Sequence, residues 1–163
     1  DLVNKYANIA SRSARFINKN FENSLSVNLD SPEIINEFRE KAKLISQYYE
    51  NLEFSKAIKE IMTLADKANQ YVDSKQPWVL IKDNENKDLV QSICTTAINL
   101  FRVLTIMLHP VIPHFTKKSL KFLNEDEIQW TSIDYPLLNC KINNFEPLVT
   151  RIDDSHINQL LEN

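Results

Sequence analysis

Apolar positions recur at helical spacing along nearly the whole chain. Leu2, Tyr6, Ile9, Ser13, Phe16 and Ile17 share one face at about 3.6 residues per turn, which predicts a first helix over Leu2 to Asn20. Asp30-Ser31-Pro32 joins N-cap residues to a first-turn proline. This signal starts a second helix that runs to about Tyr49, with Ile34, Ile35, Phe38, Ala42, Ile45 and Tyr49 inward. Phe54, Ile58, Ile61, Ala65, Ala68 and Val72 stripe a third helix from about Glu53 to Lys75. Pro77 disfavours its continuation and leaves Trp78 at a helix junction.

A polar connector, Lys82 to Lys87, leads to a fourth helix over about Asp88 to Leu108 that is apolar almost all round. Such a helix belongs in the middle of a bundle. Pro110 and Pro113 break it, and a fifth helix runs from His114 to Leu123. From Asn124 to Pro147 the pattern is irregular, which reads as an ordered tail lying across the bundle. Asp153, Asp154 and Ser155 are N-cap residues for a short last helix, Ser155 to Leu161. The expected fold class is all-α: a bundle of about five helices over residues 1–123, with a C-terminal extension over 124–163 ending in a short helix.

The chain has 163 residues, enough for one domain with a real core, and not one glycine. That absence excludes a G-x-G-x-x-G turn, a P-loop and a glycine-dependent nucleophile elbow. Net charge is −3, so the chain is no bulk polycation that coats nucleic acid. Cys94 and Cys140 are isolated, without the spacing of a zinc site or a disulfide framework, which fits a reducing cytoplasm. His109, His114 and His156 lack partners at ligand or acid–base spacing and read as structural or surface residues. The most apolar stretch, Ile93 to Leu108, is interrupted by Thr95, Thr96, Asn99, Arg102 and Thr105, so neither a membrane span nor a signal peptide is expected. The chain starts at Asp1, already inside a helical pattern, as a piece of a longer protein would.

The polar side of the first helix carries the candidate chemistry. Asn4, Asn8, Arg12, Arg15 and Lys19 follow one another at spacings of four, four, three and four, forming one outward line. No Asp or Glu occurs from Leu2 to Asn20, so the five donor-rich side chains are expected to be unpaired and open to phosphates and base edges. The competing reading is a solvated face, but such faces usually mix signs. Asn and Arg at i, i+4 can read the edge of a splayed base, and an aromatic ring nearby would stack on it. Trp78 is suited to that role and equally to packing, and the residues alone leave both open. Trp130 and Tyr135 read as packing aromatics of the tail, Lys117, Lys118 and Lys121 as a solvated basic face, and Glu60 and Asp66 as surface or capping groups.

An ordered set of short motifs adds to this. Asp1-Leu2-Val3-Asn4, Asn8-Ile9-Ala10-Ser11-Arg12, Ala65-Asp66-Lys67-Ala68-Asn69-Gln70-Tyr71-Val72-Asp73, Pro77-Trp78, Asn99-Leu100-Phe101-Arg102, Pro110-Val111-Ile112-Pro113 and Thr150-Arg151-Ile152-Asp153 occur in colinear order. Together they resemble the C-terminal anticodon-binding domain of bacterial methionyl-tRNA synthetases over essentially the whole chain. The resemblance implies a helix bundle that binds the CAU anticodon loop of methionine tRNA. Asn8 and Arg12 fall where the family reads the first anticodon base, Trp78 where it stacks on that base, and Asp73 and Pro77 where the same pocket is shaped. Asn4, Arg15 and Lys19 are candidate contacts to the RNA backbone, and Arg15 stands where the family often has glycine.

The family's catalytic signatures, His-Ile-Gly-His and Lys-Met-Ser-Lys-Ser, are missing. This chain alone is therefore expected to be no enzyme and to hold no cofactor. ATP, Mg and Zn would belong to the parent ligase outside this segment. Expected partners are the anticodon loop and the parent's catalytic domain, with neither DNA nor a membrane. The apolar tail, Phe145 to Leu148, is expected to pack on that catalytic domain and to lie partly exposed without it. The alternatives are the related domain of a valyl, isoleucyl or leucyl enzyme, against which Asn8, Arg12 and Pro77-Trp78 in register argue, and a helical protein-interaction scaffold with no RNA role.

Overall fold

In a computed structural model, residues 2–148 of the chain are described. They form six α-helices: α1 (Leu2–Asn20), α2 (Pro32–Glu50), α3 (Phe54–Lys75), α4 (Pro77–Leu80), α5 (Lys87–Leu108) and α6 (Pro113–Leu123). Two 3-10 turns accompany them, at Asn84–Asn86 and Trp130–Asp134. The all-α expectation holds, and the five long helices start and end within a residue or so of their expected bounds. The expected last helix, with Asp153, Asp154, Ser155 and His156, lies outside the described residues.

α5 is the axle of the bundle and packs against α1, α2, α3 and α6. Every residue from Ile93 to Leu108 is buried. Its length and apolarity would suffice to cross a bilayer, but 83% of its most apolar window is covered by the other helices. A soluble bundle's central helix has this composition because it has no solvent face. The polar residues within it are used rather than tolerated. Thr95 and Thr96 accept hydrogen bonds from the backbone N–H of Ser26 and Asp30 at 2.9 Å, tying the α1–α2 loop to the axle. The Asn99 amide donates to Leu137 O and accepts from Leu137 N, at 2.9 and 2.7 Å, as a second backbone would.

A row of aromatics crosses the core. Tyr6 stacks on Phe101 at 4.5 Å, Phe101 meets Phe122 at 6.0 Å, and Phe122 meets Phe145 of the tail at 5.2 Å. Leu148 is also buried. The segment expected to be partly exposed is so at Glu146 and Pro147, while Phe145 and Leu148 pack on this bundle. Between 124 and 148 the tail meets α5 through Leu137 and Asn99, and a short antiparallel pairing joins 23–26 to 139–142 through Leu25 N to Cys140 O and Ile142 N to Asn23 O. Tyr135 departs from its packing role: it is 73% exposed, whereas Trp130 packs edge-on to Tyr49 at 6.2 Å. Both cysteines are free, and burial pushes the Cys94 thiol up to about 12, out of reach of thiolate chemistry.

Ser31 takes the N-cap position of α2 but caps nothing with its side chain. Its hydroxyl instead donates to Asp30 Oδ2 at 2.8 Å, a charge-assisted hydrogen bond. Asp30 Oδ2 also receives the Tyr71 hydroxyl at 2.9 Å and Lys75 Nζ at 2.8 Å, so one carboxylate fastens the α1–α2 loop to the last turn of α3. Burial opposes its ionisation, yet hydrogen bonds from Lys75, Ser31 and Tyr71 outweigh burial and hold its pKa below the usual 3.8. A lowered folded-state pKa contributes stability that is complete above the unfolded value and is lost as pH falls through the folded one. Asp30→Asn is therefore expected to remove about 1–3 kcal/mol at neutral pH, and to leave a protein whose melting temperature depends less on acid. Thermal melts of both proteins from neutral pH down through the carboxylate range check this, and parallel pH curves would refute it.

Candidate nucleic-acid interface

With no glycine available, several turns place other residues at positive φ, among them Leu52, Gln76 and Asn124. Gln76, at φ 48°, closes α3 through its N–H to Val72 O and redirects the chain. Pro77 then occupies the first turn of α4, where its missing N–H costs nothing. The helix expected to stop before Trp78 does stop, but the indole belongs to a new single-turn helix. Periodicity gives no sign of an element four residues long. Tyr71 and Lys75, held by Asp30, anchor the α3 end of this junction.

α1 and α3 run side by side in the same direction and in register. Lys5 Nζ meets Asp66 at 2.8 Å, Asn8 Nδ2 donates to Asn69 Oδ1 at 3.0 Å, and Arg12 Nη2 donates to Asp73 Oδ1 at 2.7 Å. Each pair is separated by 61 residues. The expectation of five unpaired donors is corrected for two of them, Asn8 and Arg12, which have partners on α3. The acids absent from α1 are supplied by α3, which presents Asp66, Asn69 and Asp73 at the spacing of Lys5, Asn8 and Arg12. Asp66 is accordingly an ion-pair partner, as is Glu60, which takes Lys41 Nζ at 3.1 Å. Sequence reasoning missed Asn69 altogether. The matched spacing was its only trace, and the register of two helices that are not sequence neighbours is a tertiary fact.

Arg12 is the hub of the site. Its guanidinium carbon lies 5.4 Å from the centroid of the Trp78 ring, within cation–π range, while Asp73 grips one end. Arg12 Nε is sealed from solvent with no partner among the described residues. Trp78 remains 39% exposed, and the Asp73 side chain 60%. An ion pair this open contributes little stability, about 0–1 kcal/mol, so its main effect is to orient the guanidinium. Asn8 is exposed one turn before Arg12 on α1. Asn8, Arg12, Asp73, Pro77 and Trp78 are thus gathered at one edge of the bundle, formed by α1, the end of α3 and α4.

The rest of the α1 line goes elsewhere. Asn4 is exposed one turn before Asn8. Arg15 and Lys19 face an open groove of about 530 Å³, walled by α1 and by Asn144, Phe145 and Pro147 of the tail. The backbone-contact candidates therefore lie beside the Arg12–Trp78 pair and are not part of it. His109 is structural, its Nδ1 lying 2.8 Å from Thr116 Oγ1. Among the described residues no cluster of three or more His, Cys, Asp or Glu side chains has the arrangement of a metal site.

An all-helical bundle thus carries an exposed ring, a held guanidinium and a neighbouring amide on one edge. The chain belongs to the family of anticodon-binding domains of tRNA ligases, whose model it matches over residues 32–160. That match begins after α1 and so does not include Asn8 or Arg12. Solved structures of similar fold include Mycobacterium tuberculosis methionyl-tRNA synthetase in its apo form, with a TM-score of 0.82 at 19% identity, covering 94% of this chain and 33% of that enzyme. The same enzyme in complex with methionyl-adenylate matches with a TM-score of 0.82 at 20% identity, over 93% of this chain and 31% of that one. The chain thus spans about a third of the enzymes whose fold it shares.

Proposed function

We propose that this chain is the anticodon-recognition part of a methionine–tRNA ligase and binds the CAU anticodon loop, with Asn8 and Arg12 on the edge of the first base and Trp78 stacked on its face. The observation that carries this reading is the position of Arg12. It bridges the Asp73 carboxylate and the Trp78 ring while standing one helical turn from Asn8. A ring face and a set of oriented polar groups are what an unstacked base requires. Pro77 and Asp73 hold the ring and the guanidinium, and Asn4, Arg15 and Lys19 meet the flanking phosphates. Membership of the tRNA-ligase family and the shared fold support this assignment. The parent would be an ATP-dependent ligase of the cytoplasm, with its ATP, Mg and Zn sites beyond this chain. The 124–163 extension would be the side turned toward its catalytic domain.

Binding of an anticodon stem-loop carrying CAU, compared with one changed only at the first base, tests the reading. The CAU loop is expected to bind tighter, with affinity falling as salt rises because phosphate contacts release counterions. Equal affinity for both loops would sink the assignment.

A further inference from the structure

Asn69 sits between the two halves of the site, and every polar atom of its side chain is engaged. Its Nδ2 donates to Lys5 O and to Ala65 O, each at 3.0 Å. Both N–H bonds are thereby used. The reversed amide would set Oδ1 against two carbonyl oxygens, so the backbone of α1 and α3 dictates which way this side chain faces. Its Oδ1 must face Asn8, and Asn8 Nδ2 donates to it at 3.0 Å. Asn8 could not reverse without bringing two amide oxygens together. Its own Oδ1 is therefore turned away from α3, on the exposed side of the ladder.

We propose that Asn69 is a specificity-determining positioning residue: by fixing the amide of Asn8 it makes the open edge of that side chain an acceptor, selecting a base with an exocyclic amino group over its keto counterpart. The inference rests on the reading that Asn8 and Arg12 meet the first anticodon base. Cytosine offers an amino donor beside the N3 and O2 acceptors. Asn8 Oδ1 accepts from the amino group, and guanidinium N–H groups of Arg12 not held by Asp73 donate to N3 or O2. Uracil reverses the first two positions, setting O4 against Asn8 Oδ1 and N3–H against the guanidinium. Sites built around hydrogen bonds reject such a mismatch strongly, because polar groups are left opposed or unpaired. Without Asn69 the amide of Asn8 can turn over, and its nitrogen can then donate to O4 of uracil.

Stem-loops that differ only by cytosine or uracil at the first anticodon position isolate this effect, since the two bases are nearly isosteric. Asn69→Leu is expected to reduce the cytosine-to-uracil affinity ratio by about tenfold, mostly through improved binding of uracil. Asn69→Asp keeps an acceptor toward Asn8. Its second oxygen, however, faces Lys5 O and Ala65 O in place of the donating Nδ2, so the side chain is no longer held and the ratio is expected to fall here too. An unchanged ratio in Asn69→Leu would overturn the inference and leave the proposed function standing. No preference in the unsubstituted chain would instead overturn the proposed function. Side-chain amide exchange, followed by NMR on the unsubstituted chain, gives a readout independent of whether the variant folds. The Asn8 amide protons are expected to exchange more slowly than those of Asn4, and equal rates would overturn the inference.

Discussion

Arg102→Ala is expected to lower the free energy of unfolding by about 3–5 kcal/mol, the largest single-residue effect outside the apolar core. Arg102 is 4% exposed at the centre of α5. Its Nε and Nη2 donate to the two oxygens of Glu125, each at 2.8 Å, and Nη1 donates to Ser132 O and Tyr135 O, each at 2.9 Å. The guanidinium thus satisfies a largely buried carboxylate and two carbonyls at the end of the 3-10 turn, of which Ser132 O also accepts from Tyr135 N at 3.2 Å. Truncation leaves all of them short of a donor in a site with little water. The neighbouring Arg39, which donates to Ile133 O and Asp134 O, cannot replace it from α2. Urea unfolding measures the loss, and hydrogen exchange is expected to show residues 130–142 losing protection before the bundle does. The double replacement Arg102→Met with Glu125→Leu is expected to recover much of the stability, since no charge is then stranded. A loss below about 1 kcal/mol in Arg102→Ala would show that the tail is held mainly by Asn99 and the Phe122–Phe145 contact.

The second large effect falls on binding. Trp78→Ala is expected to weaken the CAU stem-loop by about 1–3 kcal/mol, or roughly 5- to 150-fold. Stability should change by no more than about 1 kcal/mol, because the residue is 39% exposed and stands outside the hydrophobic core. Trp78→Phe is expected to fall between the two, keeping a ring face of smaller area. Arg12→Ala should weaken binding as well, and it should also shrink the preference for the first base, which a loss of stacking alone would not do. Fluorescence anisotropy with both loops separates the two effects. Unchanged affinity in Trp78→Ala would remove the ring from the interface.

The bundle was readable in the chain because its periodicity is long and uninterrupted. α5 announces its central place by being apolar on every side, and Pro32 and Pro113 mark two helix starts. Elements of three to five residues were not readable, since they are too short for any spacing to recur. The site divided along the same line. Asn8 and Arg12 could be chosen from spacing within one helix, and Asp73 and Pro77 came only through family resemblance. Asn69 came through neither, because its role lies in what its amide faces on another helix. The inference from an acid-free helix to unpaired donors failed at Asn8 and Arg12 for the same reason: charge balance is settled in space, and α3 lies against α1. Tyr135 shows the limit of composition in the tail, where an aromatic between polar neighbours carries no periodic face to say whether it is covered.

The two sides of the site stand 61 residues apart in the chain, on helices that run in parallel. During synthesis Asn8 and Arg12 emerge long before Asn69, Asp73 and Trp78 exist. Closing a loop of that length costs about 3.6 kcal/mol in chain entropy, which the α1–α3 contact must offset before the pieces meet. A nascent chain therefore carries a basic helix that attracts any polyanion without telling one from another. Whatever selectivity the finished domain has is acquired at one moment, when α3 docks on α1 and the amides lock. A chain stalled before that moment has no partner on α3 for Asn8 or Arg12.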